Sequence, residues 1–336
     1  MKLFETLAGN AKIKETLAAD IEKGTQSHAY IIEGPEGSGK HTAATLAVMS
    51  LFCKRRGDSL PCRSCPSCKK VLDGIAPDVT VIKRQNTATL GVDSVRIVKE
   101  TLHLAPVEEK YKVYLVEEAD KMTKAAQNAL LLSLEEPPEY VVFFLLCKDA
   151  SLLLETVRSR APVIKTEIFD SSFISKYLLG DGKYRNIRDT DRVRFDEAVT
   201  AADGSIGKAK KLLDSESSSQ IHEWLGSVKT VVGALCRPSL TERLKTADLF
   251  PKDRTELCEF LRDVSKGLRD VLKIKKCPGE AEGYLIFTDT EELKNVARTV
   301  QTERVVRLSF EVSDMAARVA SNANPTSLIL LLLTKQ

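Results

Sequence analysis

The chain has 336 residues, 43% hydrophobic and 29% charged, and its 50 Lys and Arg against 47 Asp and Glu give a formal charge of +3. That length and apolar content give two or three domains, each able to bury a core. They exclude an intrinsically disordered chain, and the near-balance of charge excludes a histone-like or tail-type nucleic-acid binder. No apolar run reaches the ~18 residues needed to span a bilayer, so no membrane partner is expected. Met1-Lys2-Leu3-Phe4-Glu5 carries no apolar signal core, which points away from secretion and towards the cytoplasm. Eight cysteines in a chain of this size are too sparse for a disulfide scaffold.

Residues 1–27 read as a helical lead-in. Asn10 is placed as an N-cap, Ile13, Leu17 and Ile21 recur at helical spacing, and Gly24 sits where a closing glycine belongs. Residues 29–32 form a short buried-strand pattern, followed at once by a glycine-rich turn and an alanine-rich helix. A second strand is expected at 79–82, a helix at 94–102 and a third strand at 112–116. The next helix starts near Thr123, carries Ala126, Ala129, Leu130 and Leu134, and ends at Pro137-Pro138. Residues 141–146 are apolar throughout, as a strand covered on both faces requires. Strands alternating with helices predict a parallel α/β sheet over residues 1–165.

Strand signals fade after about residue 166. Residues 171–213 read as a small helical unit ending in Gly204-Ser205-Ile206-Gly207-Lys208-Ala209, and residues 215–219 as a linker. The pattern from Ile221 onward is helical. Its clearest stretch is Val305, Leu308, Val312, Met315 and Val319, a stripe that faces a partner helix.

Gly34-Pro35-Glu36-Gly37-Ser38-Gly39-Lys40-His41 follows a strand and opens a helix, and it fits G-x-x-x-x-G-K up to its last position. Gly34, Gly37 and Gly39 let backbone N–H groups converge on phosphate oxygens, and Lys40 reaches the β/γ-phosphates. The next residue should be a Ser or Thr whose hydroxyl ligates Mg²⁺. His41 stands there instead, and imidazole suits a hard, oxygen-seeking ion poorly. Thr42 is turned ~100° away on the helix. After the third strand an Asp-Glu pair would organise the metal and polarise the attacking water, whereas this chain has Glu117-Glu118. Glu118 keeps the character of a base, while Glu117 is a methylene too long. Descent from a nucleotide-binding fold is expected, and working Mg-ATP hydrolysis is not.

Cys53, Cys62, Cys65 and Cys68 give C-x8-C-x2-C-x2-C, with Pro61 and Pro66 bending the chain between them. Four thiolates at this spacing predict tetrahedral Zn²⁺, with an iron–sulfur cluster or free thiols as the alternatives, and with no position open to water the role of zinc is structural. Lys54-Arg55-Arg56 and Lys69-Lys70 flank the cluster. They read as a solvated basic face, with nucleic-acid contact as the alternative.

The ordered motifs carry a family resemblance. Ser27-His28-Ala29-Tyr30 precedes the phosphate loop and the four-cysteine insertion follows it. Then come Glu118-Ala119-Asp120-Lys121-Met122-Thr123, Gln127-Asn128-Ala129-Leu130-Leu131, Leu134-Glu135-Glu136-Pro137-Pro138 and Thr156-Val157-Arg158-Ser159-Arg160-Ala161. Together they resemble the AAA+ clamp-loader subunits of bacterial DNA polymerase III, the group of delta-prime and gamma/tau. The C-terminal third matches mainly in helical character and in Asn322-Ala323-Asn324-Pro325.

The resemblance implies an AAA+ P-loop α/β domain at 1–165 with a zinc-binding insertion at 53–68. A helical lid at 166–214 and an all-α collar at 220–336 would follow. Motor subunits of the group keep a complete P-loop, an Asp-Glu pair, a polar sensor and a lid arginine. Here His41, Glu117, Cys147 or Lys148, and Gly207 depart from those four positions, which resembles the delta-prime type. The end of the sequence at Gln336, without a long extension, agrees. Arg160 then matches the arginine finger of the Ser-Arg-Cys motif, with Ala161 in place of the cysteine and Arg158 as a competing candidate in an extended segment. The partners implied are gamma/tau and delta subunits in a hetero-pentamer, the sliding clamp, and primer–template DNA through its backbone phosphates. A gamma/tau-like ATPase using Lys40 and Glu118 is the alternative, and a zinc-stabilised nucleic-acid-binding module is a third.

Overall fold

The computed structural model describes the chain apart from residues 1, 5, 56–58, 85–88, 215–217, 278–286, 288–290, 322 and 336. Arg56 of the basic run, residues 215–217 of the linker and Asn322 of the C-terminal motif lie outside the described residues. Contacts divide the chain into two compact units, Met1–Phe169 with Ser205–Lys208, and Asp170–Gly204 with Ala209–Gln336.

The first unit runs β1 (Lys2–Leu3), α1 (Ala11–Lys23), β2 (Ala29–Glu33), α2 (Lys40–Phe52), β3 (Ser59–Leu60), α3 (Pro66–Leu72), β4 (Val79–Ile82), α4 (Val92–Thr101), β5 (Lys112–Val116), α5 (Lys124–Glu135), β6 (Val141–Cys147), α6 (Glu155–Arg158) and β7 (Val163–Lys165). Five strands form one sheet in the order β4-β5-β6-β2-β7, every neighbouring pair parallel. The four strands read from the sequence are all present. Alternate residues supply two cores. Tyr30, Ile32, Val113, Leu115, Val142, Phe144 and Leu146 face α1 and α2. Ala29, Ile31, Tyr114, Val116, Val141, Phe143 and Leu145 face α4 and α5. Ring stacking strengthens both layers, with Tyr30 on Phe144 at 5.5 Å between centroids and Tyr114 on Phe143 at 5.2 Å. Each large side chain buried here contributes about 1.5–3 kcal/mol.

Three local expectations change. The fifth strand, β7, was not expected, because only Ile164 of its three residues is buried. It is held by register, with Val163 opposite Ile31, and by the Ile31 N–H donating to Pro162 O at 2.9 Å. Asn10 occupies the N-cap position of α1 but in the left-handed region, φ 53°, and its side chain makes no cap bond. The carboxylate of Glu167 caps the helix instead, accepting the N–H groups of Asn10 at 2.6 Å and Ala11 at 2.8 Å. Asn10 Oδ1 in turn accepts the Glu167 N–H at 2.9 Å. Third, Arg158 is the last residue of α6 rather than part of an extended segment.

The second unit is helical: α7 (Ser171–Leu178), α8 (Gly182–Thr190), α9 (Arg192–Ala201), α10 (Ile206–Asp214), α11 (Ser218–Cys236), α12 (Leu240–Leu244), α13 (Arg254–Lys276), α14 (Glu291–Thr299), α15 (Thr302–Ala320) and α16 (Pro325–Thr334). Ser218 and Ser219, read as linker, open α11. The stripe from Val305 to Val319 is buried at all five positions and packs with Leu257, Leu261, Val264, Leu268 and Val271 of α13 in one core. Among the described residues, no helix is long and apolar enough to cross a membrane.

Candidate functional site

β2 delivers the chain into the phosphate loop. Gly37 and Gly39 sit at φ 72° and 96°, where a side chain is strained. A Cβ on Gly34 would lie 1.8 Å from Thr166 Oγ1. Lys40 opens α2, and its Nζ donates to Gly34 O at 2.6 Å and Pro35 O at 2.7 Å. Burial pulls the Lys40 ammonium below the ordinary lysine range, against the pull of the Cys147, Asp120 and Glu36 side chains around it.

The positions that would seat a divalent cation are occupied differently. His41 Nε2 lies 3.0 Å from Glu117 Oε1, so the two departures meet each other. His41 Nδ1 also sits 3.4 Å from Thr45 Oγ1. Glu118 adopts φ 50° and takes both ends of the Arg84 fork, from Nε at 2.6 Å and from the terminal nitrogen at 2.7 Å. That bidentate bond holds the Arg84 guanidinium above its ordinary value. Cys147, at the end of β6, is fully buried, and burial pushes its thiol up to about 12. A thiol is a weak donor there. A magnesium nucleotide needs a hydroxyl and a short carboxylate facing the metal, and these residues do not fit that group.

The stretch from Ser205 to Lys208 lies on the same loop. Ser205 Oγ donates to Glu36 O at 2.8 Å and accepts the Lys208 N–H at 3.1 Å. The Gly207 N–H donates to Gly37 O at 3.0 Å. A Cβ on Gly207 would come 2.8 Å from both Cα and O of Gly37. A glycine at position 207 therefore lets backbone meet backbone.

Arg160 follows α6. Its Nη2 is 2.6 Å from Glu135 Oε1, and its Nη1 donates to Thr156 O at 2.7 Å and Ser159 Oγ at 3.3 Å. Arg158 is exposed and has no ion pair or hydrogen bond of its side chain among the described residues. Ala161 packs in the α4–α5 core.

The cysteines converge. Cys53 caps α2, Cys65 caps α3 and Cys68 lies within α3. All four Sγ atoms lie within 4.8 Å of one another. The edge of a Zn–S tetrahedron is about 3.8 Å, so one ion such as zinc could be held by all four. Backbone N–H groups already aim at sulfur, Cys65 N to Cys62 Sγ at 3.4 Å and Cys62 N to Cys53 Sγ at 3.5 Å. Burial opposes ionisation of Cys62, but bonds from the Ser64 and Cys65 backbone bring its thiol down to about 6. Burial keeps the Cys53 and Cys68 thiols above their ordinary value. Two flanking lysines are partnered, Lys54 with Glu109 at 3.5 Å and Lys70 with Glu108 at 2.6 Å. Both acidic residues sit on a loop fixed by buried Asp78, which accepts the N–H groups of Val107, Glu108 and Glu109 at 2.6–2.8 Å.

A family model described as DNA polymerase III, delta subunit, matches residues 9–169. DNA polymerase III subunit gamma of Buchnera aphidicola is 30% identical over 266 residues, covering 78% of this chain and 72% of that protein. The chain belongs to the clamp-loader subunits of DNA polymerase III. Subunit tau of Bacillus subtilis is 29% identical over 307 residues, covering 86% of this chain and about half, 53%, of that relative. Subunit delta' of Bacillus subtilis is 33% identical over 153 residues, covering 46% of each chain.

This clamp-loader subunit also uses a residue that sequence reading treated only as part of a signature. Gln127 is buried on α5. Its Nε2 donates to Met122 O at 3.2 Å and Leu152 O at 3.5 Å, and its Oε1 accepts the Leu154 N–H at 2.6 Å. It ties α5 to the segment that leads into α6 and Arg160. A glutamine amid apolar helix positions was the available signal.

The Gly207 contact makes a direct prediction. Gly207→Ala in the clamp-loader subunit should cost about 1–3 kcal/mol of unfolding free energy, because the clashing atoms are backbone and cannot rotate away. Urea unfolding of the two proteins checks it. A wild-type midpoint means that the Ser205–Lys208 stretch does not rest on the loop.

Proposed function

We propose that the chain is a delta-prime-type subunit of the DNA polymerase III clamp loader, one that does not hydrolyse ATP itself. The observation that carries this reading is the contact between His41 and Glu117, at the two positions where a motor subunit would ligate magnesium. The lysine bound to its own loop and the tied Glu118 support it. In this reading Gly34, Gly37, Gly39 and Lys40 form a degenerate nucleotide site. Cys53, Cys62, Cys65 and Cys68 hold a structural zinc. Residues 166–214 act as a lid and 220–336 as the collar through which the chain joins gamma/tau and delta subunits in a hetero-pentamer.

The ring loads the sliding clamp onto primer–template DNA during replication in the cytoplasm. Arg160, with Arg158 as competitor, is the arginine finger offered to a neighbour's triphosphate. Any DNA contact is to backbone phosphate, and weakens steeply with salt. A second reading, a gamma/tau-type ATPase, is favoured by the gamma and tau relatives that align over most of this chain. The purified chain with Mg²⁺ and ATP separates the two. No turnover is expected. Turnover that Lys40→Ala abolishes would establish the second reading.

A further inference from the structure

Glu135 is the last residue of α5, where helix carbonyls carry negative partial charge, so a carboxylate is poorly placed there unless a cation faces it. Arg160 supplies that cation at 2.6 Å. A guanidinium has five N–H donors in a rigid plane. Glu135, Thr156 and Ser159 engage three of them. The two that remain, Nε–H and one on Nη2, have no partner among the described residues. The side chains of Arg160 and Glu135 are 33% and 40% exposed, so the plane has an open side from which a ligand can approach.

We propose that Glu135 is a positioning residue, fixing the Arg160 plane so that its two remaining donors meet a phosphate group bound by a neighbouring subunit. The proposal rests on reading Arg160 as the finger. Donors held in place stabilise charge that develops in the transition state without having to reorganise. Without Glu135 the plane is held only through Nη1, by Thr156 and Ser159, and its Nη2 side must be ordered anew in each turnover. The cost therefore falls on kcat, while the neighbour's own grip on ATP, and hence KM, stays as it was.

The test uses complete clamp-loader complexes reconstituted from whole subunits, with ATP turnover followed against ATP concentration. Glu135→Ala should lower kcat about tenfold, the low end for a hydrogen bond to a charged group because the pair is partly exposed, with KM unchanged. Glu135→Gln, which keeps shape and one acceptor, should fall between Ala and wild type and guards against misfolding. In an Arg160→Ala background, Glu135→Gln should add no further loss. Wild-type kcat in Glu135→Ala, a change confined to KM, or a further loss in the Arg160→Ala background overturns this proposal alone. Wild-type turnover in Arg160→Ala overturns the finger reading and the proposal with it.

Discussion

Arg160→Ala, reconstituted with gamma/tau-type and delta subunits, is expected to cut the neighbour's ATP turnover by about 10³–10⁵-fold, the range for arginine fingers supplied in trans, and to stop clamp loading. The charge lost is specific. A guanidinium meets phosphate with a fork of donors, and Arg160→Lys should recover little because an ammonium is a point charge without that geometry. Arg158→Ala separates the two candidates. Arg158 closes α6 while Arg160 lies beyond its C-cap, bound to Thr156 O and Glu135. Lys40→Ala should leave turnover unchanged, since the Lys40 ammonium serves its own loop carbonyls. The reverse pattern, with Lys40→Ala silencing the ring and Arg160→Ala active, sinks the assignment. Thermal melting of each variant shows whether the loss is one of folding.

Removing metal from the cysteine cluster is the second large effect. Structural zinc carries about 10–16 kcal/mol of apparent binding free energy at pH 7 in small sites. One zinc per chain is expected by metal analysis. Stripping it with a chelator, or Cys68→Ser, should melt α3 and expose residues 53–68 to protease. The damage should not stop at the insertion. Cys53, Leu60, Cys65 and Cys68 belong to the same core as α1 and α2, and Phe4 N–H donates to Leu60 O at 3.1 Å. The α1–α2 face should loosen while the opposite face, built on α4 and α5, keeps its packing. Thiolates bind zinc and thiols do not, so affinity falls as pH falls, as the Cys53 and Cys68 thiols hold their protons more tightly. A chain with less than one zinc, four reactive thiols and unchanged melting removes the metal reading.

Much of the α/β unit was legible because its strands are short apolar runs between turn residues, and 29–32, 79–82, 112–116 and 141–146 all announce themselves in that way. β7 does not, because an edge strand with one buried residue has no pattern of its own and is fixed only by its neighbour. The departures at His41, Glu117 and Gly207 were each visible as residues out of place. Their contacts were not, since the start of α2 meets the end of β5, and Gly207 meets Gly37, only through the tertiary fold. The same holds for Glu135 and Arg160. The motif containing Glu135 was plain, and its partner was not. The cap on α1 was misplaced because Asn10 has the right chemistry for a cap and Glu167 lies far along the sequence.

The place of β2, between β6 and β7 in the sheet, has a consequence for biosynthesis. This strand emerges early from the ribosome, yet its two sheet neighbours, β6 and β7, are the last strands of the sheet to be made. At about 5–20 residues per second, its apolar stretch waits on the order of ten seconds for partners. During translation the nascent chain therefore presents a strand unpaired on both edges, and the sheet closes only after residue 165 has left the exit tunnel. Chaperone capture of stalled chains should concentrate on lengths below that point.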